Sequence, residues 1–399
     1  MRAMRILNVI RSVNPVHGGP AEGLRQSVVA TAALGHTEEV LTLDAPGDAW
    51  LSGFPAPLHA LGPVASNYGY SARLVPWLKQ HAAAYDAVVV HGLWQYHSLA
   101  VRRALRGGGV PYFLYVHGML DPWFKREYPL KHLKKWLYWP WADYRVARDA
   151  KAVLFTAREE QHLAAQSFWL YRVNPSVVGY GLALDAAAQS AQAHAFHSAF
   201  PDTLGRRNVL FLARLHPKKG CDLLIEAFAQ VAAHDPALHL VMAGPDQAGW
   251  RDALQVLAAR LGIAHRITWT GMLQGELKWG ALKAAEVFAL PSHQENFGIA
   301  VAEALAVGLP VLISRRVNIW REIVAEGAGF ADDDSVDGSV ALLQRWLAVP
   351  PLQRRLMRDN AVRCYTRHFH IDSAARRLIA TIEPHVGAGG VARPALARG

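Results

Sequence analysis

Ten short apolar runs, separated by segments of helical character, restrict what this chain can fold into. Arg5–Ile10, Val40–Leu43, Ala87–His91, Tyr112–His117 and Ala152–Thr156 make a first set. Val209–Ala213, Leu238–Ala243, Arg266–Thr270, Val287–Pro291 and Val311–Ser314 make a second. Most are continuous rather than alternating, the pattern of strands covered on both faces. Such strands alternating with helices specify doubly wound parallel sheets, so the expected class is α/β with two Rossmann-like domains facing across a cleft. Ligands of such sheets bind outside the carboxyl ends of the strands, so residues at strand ends carry the functional reading.

The two sets are divided near residues 181–207, where Gly179, Gly181, small residues and Pro201 suggest a linker with some helix around Ala186–Ala195. The expected first domain is therefore 1–180 and the second 208–370. A last helix lies within 371–385, clearest at Ser373–Glu383. The Gly-, Ala- and Arg-rich tail, 386–399, is expected to fray. Apolar residues make up 52% of the chain, enough for two cores.

Two cysteines, Cys221 and Cys364, exclude a disulfide framework and suit a reducing, cytoplasmic setting. No apolar run approaches the roughly twenty residues of a spanning helix. The +10 net charge suits phosphate-bearing ligands, anionic membranes or nucleic acid without choosing between them.

A narrower reading comes from Pro291–Ser314, PSHQENFGIAVAEALAVGLPVLIS. Glu295 falls in a loop at a helix start and Glu303 inside the helix, eight positions later. Between them lies Asn296-Phe297-Gly298. The amides of Phe297, Gly298 and Ile299 are expected at the positive end of the helix dipole, an anion site suited to a phosphate. Acids on both sides of a phosphate site can accept hydrogen bonds from hydroxyls flanking a diphosphate. A molecule built that way is a nucleotide sugar.

The segment resembles the retaining glycosyltransferases of family four, which have the two-domain B-type fold and carry this glutamate pair in this strand-loop-helix setting. The resemblance covers most of the chain, closely in the second domain and loosely in the first. It implies transfer of a sugar from a UDP- or GDP-linked donor to an acceptor hydroxyl, with retention and without a metal ion or other cofactor. It also implies a lipid-linked saccharide acceptor of polysaccharide biosynthesis, and a last helix that packs back on the first domain. Arg214 and Lys219 lie in Ala213-Arg214-Leu215-His216-Pro217-Lys218-Lys219-Gly220, which follows a strand and opens a helix. The family has an Arg and a Lys-Gly at this spacing, bound to the diphosphate, where a planar fork and a compact charge would stabilise it as it leaves.

The resemblance assigns other strand ends as well. Gly18 and Gly19, in His17-Gly18-Gly19-Pro20, correspond to a loop that touches donor or acceptor. His117 corresponds to a histidine beside the reacting sugar. Gly271 and Met272 correspond to a loop against the base, and Gly244 lies at a neighbouring strand end. Glu295 would orient the donor sugar and Glu303 the ribose. His17, His91 and Trp94 are expected as acceptor-side lining. Val178-Gly179-Tyr180-Gly181 departs from the family's Pro-Asn-Gly turn.

Trp123–Trp141 mixes cations with aromatics. Leu130, Leu133, Leu137 and Trp141 share one helical face, with Lys131, Lys134 and Lys135 elsewhere around it. That suits an anionic bilayer surface, and so a peripheral protein on the inner face of the cell membrane. No histidine or cysteine spacing suggests a metal site, and no reader helix or basic arm suggests nucleic acid. Two other readings share the architecture: a catalytically silent nucleotide-sugar-binding subunit and a sugar-nucleotide epimerase.

Overall fold

The computed structural model describes residues 2–17, 19–184, 188, 190, 192–247 and 249–387. Gly18 and residues 388–399 of the tail lie outside the described residues. Among the described residues the strands form two parallel sheets, each in its own compact unit. The first unit runs to Gly181 and resumes at His370; the second is Leu182–Phe369.

The first sheet has seven strands in the order β3-β2-β1-β4-β5-β6-β7. They are β1 (Arg5–Ile10), β2 (Thr37–Thr42), β3 (Leu58–Ala60), β4 (Ala87–His91), β5 (Tyr112–Tyr115), β6 (Ala152–Phe155) and β7 (Pro175–Val177). The second has six, ordered β10-β9-β8-β11-β12-β13. These are β8 (Arg207–Leu212), β9 (Leu238–Ala243), β10 (Ile267–Gly271), β11 (Val287–Leu290), β12 (Val311–Ser314) and β13 (Gly329–Asp332). Strand order reverses between β1 and β4 and between β8 and β11, the switch points where doubly wound sheets open a crevice.

The apolar-run criterion leaves out β3, β7 and β13 for a physical reason. Each is an edge strand with one hydrogen-bonded neighbour, and each is only partly buried, so no continuous apolar stretch is required. The run expected at Tyr112–His117 ends as a strand at Tyr115, because His117 adopts a left-handed backbone with φ 49°.

Both faces of the first sheet are packed. Leu7, Val9, Val88, Val90 and Leu114 face one buried cluster. Ile6, Val89, Phe113 and Leu154 face another, completed by Leu378, Ile379 and Ile382 of the helix Ile371–Ile382. Burying each of these side chains contributes about 1.5–3 kcal/mol, which ties the returning helix to the first unit. In the second unit, part of the stretch read as linker forms the helix Ala193–Ala199, with Phe196 buried. Gly280, in the helix Gly275–Ala284, makes room for it: a Cβ there would stand 3.0 Å from the Gln192 carbonyl oxygen. At the amino end of β11, Glu286 accepts from Arg207 at 2.6 Å, Arg354 at 2.7 Å and Trp346 at 3.0 Å, bracing the end of the sheet away from the candidate site.

Candidate functional site

At the switch point of the second unit, the loops after β8 and β11 are stitched together. His293 donates its backbone amide to the Lys218 carbonyl at 2.9 Å, and the Ser292 hydroxyl donates to the same oxygen at 3.0 Å. Gly220, at φ 65°, joins the loop to the helix Cys221–Ala232. A Cβ there would lie 2.2 Å from the Pro291 carbonyl oxygen, so only glycine permits both the conformation and the approach. Gly244, after β9, is equally constrained, with a would-be Cβ 1.7 Å from the Ala213 carbonyl oxygen. Its amide donates to the Gly271 carbonyl at 2.8 Å, drawing the ends of β8, β9 and β10 together.

This stitching brings the Lys219 ammonium onto the Glu295 carboxylate. Their side chains are 11% and 22% exposed, so the pair is shielded but still open to a ligand. The backbone of Glu295 is held on both sides: its amide donates to the Arg316 carbonyl and its carbonyl accepts from the Asn318 amide, both at 2.9 Å. The Asn318 side-chain amide donates to the Asn296 side chain at 3.2 Å. Next to Glu295, Gly298 caps the helix Ile299–Ala306; a Cβ on Gly298 would sit 3.3 Å from Glu295 Cγ. The amides of Gly298, Ile299 and Ala300 donate to no described group. The side chain of Phe297 packs in the core, its ring edge-on to Phe369 at 5.6 Å.

The other expected donor residues fall nearby but pair differently. Arg214 is exposed and donates to Gln247 at 3.0 Å. Glu303, buried in the helix Ile299–Ala306, accepts from Lys278 at 2.7 Å, and Lys278 Nζ lies 4.3 Å from the Trp279 ring centre. Met272 is exposed at the end of β10. Lys278 and Gln247 are absent from the sequence-level expectation. Lys278 is one lysine on a helix surface, 25 positions before its partner, and no local signal separates it from a solvated one.

In the first unit, His91 and His117 come together at the ends of β4 and β5, with Tyr115 stacked on His117 at 4.9 Å. The ring nitrogens His91 Nδ1 and His117 Nε2 are 3.1 Å apart. Buried Glu160 accepts from the Gly118 amide and from Thr156, which fixes the left-handed turn at His117. His91 is only 8% exposed and lies beneath His117, whereas His117 is partly open. Burial holds His117 down to about 4 and His91 well below the usual histidine range, so both rings are neutral near pH 7.

These rings, Asn8, Tyr115 and Tyr180 line a small pocket with the start of the helix Gly19–Ala33. Tyr180, in the segment that departs from the Pro-Asn-Gly turn, donates its hydroxyl to the Gly19 carbonyl. Its ring occupies the space that a side chain at Gly23 would need. The side chain of His17, like Gly18, lies outside what the structure describes.

Trp94 packs against Trp139 and Phe168, and its amide donates to buried Asp143 at 2.9 Å. Lys135 lies over Trp94, 4.7 Å from the ring centre, and its ammonium is held below the usual lysine range by burial. Lys131 lies over the Tyr128 ring. The helix Pro129–Tyr138 has no buried residue: Leu130 is 77% and Leu137 60% exposed, with Trp141 and Trp169 exposed beside them. Among the described residues no helix is long and apolar enough to cross a membrane, and no three His, Cys, Asp or Glu side chains form a metal-holding group.

Comparison with known proteins gives two family matches. The family described as "Glycosyl transferases group 1" matches residues 196–362, and "Glycosyl transferase 4-like domain" matches 18–181. The D-inositol 3-phosphate glycosyltransferase of Thermomonospora curvata is 34% identical over 179 residues, 43% of this chain and 41% of that protein. That of Segniliparus rotundus is 25% identical over 399 residues, 97% of this chain and 78% of that protein. The matched stretches span 41%, 25% and 24% of the first three such relatives. Two solved structures share the fold. HepE of Anabaena, in complex with UDP and glucose, superposes with a TM-score of 0.70 at 18% identity, covering 96% of this chain and 100% of that one. The lipopolysaccharide outer core galactosyltransferase WaaB gives 0.69 at 17% identity, covering 96% and 99%.

Proposed function

Because the chain belongs to the glycosyltransferases of the two-domain B-type fold, family-four-like over 18–181 and group 1 over 196–362, we propose that it moves a sugar from a UDP- or GDP-linked donor to an acceptor hydroxyl. The observation that carries this is the Lys219–Glu295 pair at the β8/β11 switch point, beside the undonated amides of Gly298, Ile299 and Ala300. A cation, helix amides and a carboxylate converge there, and a pyrophosphate with a polyol attached is the ligand that uses all three. Arg214, in the same loop after β8, adds a second cation, and Glu303 supplies an acceptor for ribose hydroxyls.

The proposed reaction runs with retention and on the front side of the sugar. The bond from the anomeric carbon to the diphosphate oxygen breaks as the acceptor oxygen bonds on the same face, and the acceptor proton passes to the leaving phosphate. Lys219, Arg214 and the helix amides hold the charge that develops on that phosphate, so no metal ion is needed. Glu295 orients the sugar through its hydroxyls, and the role proposed for His117 is beside the reacting sugar.

The acceptor is proposed to be a lipid-linked saccharide presented at the inner face of the cell membrane. The support is the exposed helix Pro129–Tyr138, where Leu130, Leu133 and Leu137 stand bare beside Lys131 and Lys134. Relatives named for D-inositol 3-phosphate make inositol phosphates the rival acceptor class.

Purified protein incubated with a panel of UDP- and GDP-sugars, with and without lipid-linked saccharides and inositol phosphates, tests the reading. Acceptor-dependent release of nucleoside diphosphate, with the donor's anomeric configuration kept in the product, supports it. An inverted product removes retention. No nucleotide release from any donor removes the transferase assignment.

A further inference from the structure

A line of buried polar groups runs behind His117 that donor binding does not use. Glu38 on β2, Asn8 on β1 and His91 on β4 are all buried, and adjacent strands place them side by side. Asn8 Nδ2 lies 2.8 Å from Glu38 Oε2, Asn8 Oδ1 lies 3.0 Å from His91 Nε2, and His91 Nδ1 lies 3.1 Å from His117 Nε2.

We propose that Glu38, Asn8 and His91 form a directional hydrogen-bond relay that fixes the tautomer of His117, so that His117 presents its Nδ1 lone pair to a hydroxyl of the bound sugar. The direction follows from the end of the chain. Asn8 donates from Nδ2 to Glu38 Oε2, so its carbonyl oxygen faces His91 Nε2. His91 must then carry its proton on Nε2, which leaves Nδ1 as an acceptor. His117 therefore donates from Nε2, and its own Nδ1 is unprotonated. Among the described residues that Nδ1 meets no hydrogen-bond partner, and His117 is partly open.

Two further features make the direction meaningful. Only a neutral imidazole has a choice of tautomer, and burial keeps both rings neutral near pH 7. The strained φ of His117, locked by Glu160 below Gly118, gives the ring one fixed aim. Glu38, Asn8 and His91 are thus positioning residues acting through His117. The assignment of a sugar hydroxyl as the ligand rests on the proposed function; the tautomer itself does not.

The test is nitrogen NMR of the full chain with 15N-labelled histidine. The chain has 19 histidines, so the His117 signals are assigned as those lost in His117→Gln. The expected result at neutral pH is one tautomer, protonated on Nε2, retained in Glu38→Gln, whose amide oxygen still accepts from Asn8. Asn8→Leu is expected to release it to a mixture. The same variant should lower kcat/KM with the preferred nucleotide sugar roughly tenfold, the worth of one neutral hydrogen bond, while leaving nucleoside diphosphate affinity unchanged. An Nδ1-protonated or doubly protonated His117 in the wild-type protein overturns the relay, and so does an Asn8→Leu protein whose His117 keeps the single tautomer. The wild-type spectrum decides the matter even where a variant fails to fold. A correct tautomer with no response to any sugar nucleotide would keep the relay and defeat the transferase reading.

Discussion

Replacing Glu295 with glutamine should shift the affinities for a nucleoside diphosphate and for its sugar derivative in opposite directions. The Lys219 ammonium rests on the Glu295 carboxylate, with both side chains largely shielded. A pyrophosphate arriving at Lys219 competes with that carboxylate and is repelled by it. At this exposure the competition is worth about 1 kcal/mol, the upper end for partly solvated pairs. Its removal should therefore tighten UDP or GDP roughly fivefold. The sugar derivative gains the same relief but loses the charge-assisted hydrogen bonds that the carboxylate makes to sugar hydroxyls, worth about 2 kcal/mol. It should bind more weakly by roughly fivefold.

Lys219→Met removes a charge-assisted contact to phosphate, again about 2 kcal/mol, so both ligands should weaken about thirtyfold. Isothermal titration of the three proteins with both ligands measures all of this. Equal weakening of both ligands in Glu295→Gln would refute the assignment of this carboxylate to the sugar. An unchanged diphosphate Kd in Lys219→Met would refute the location of the pyrophosphate.

Gly220→Ala forces a Cβ to within 2.2 Å of the Pro291 carbonyl oxygen at φ 65°, so β8 and β11 must move apart. A loss of about 3 kcal/mol is expected, which calorimetry should show as a Tm lower by roughly 6–12 °C, and an unchanged Tm would mean the loops are not joined there. Burial lifts the Glu38 carboxyl from 4.5 to about 7, so the folded state holds its proton more tightly than the unfolded chain. The stability this confers is complete below pH 4.5 and lost as pH rises through 7. Between pH 5 and 8 the wild type should therefore lose up to about 3 kcal/mol relative to Glu38→Gln in denaturant titrations; parallel profiles would contradict the shift. Leu133→Glu with Leu137→Glu should abolish co-sedimentation with vesicles containing anionic lipid while leaving nucleoside diphosphate binding intact; undiminished sedimentation would remove the membrane surface from this helix.

The central strands are readable in the sequence because burial on both faces demands continuous apolar runs, as Ala87–His91 and Leu238–Ala243 illustrate. The edge strands β3, β7 and β13 are not, since each is only partly buried and needs no such run. The Lys219 and Glu295 loops could be marked separately as strand-to-helix turns with anion-binding character. Their contact across 76 positions is a product of sheet order. Lys278 and Glu38 carry no local signal at all. One resembles a solvated lysine, and the other, in Thr37-Glu38-Glu39, resembles an exposed acid beside another acid. Their meaning depends on partners that only the packed sheets supply: Glu303 for the first, Asn8 for the second.

The most direct test of the account is a crystal structure of the full chain soaked with UDP or GDP. The account predicts phosphate oxygens on the amides of Gly298, Ile299 and Ala300 and on Lys219, with the ribose hydroxyls at Glu303. Density for the nucleotide anywhere else on the chain, or none at saturating concentration, would contradict it.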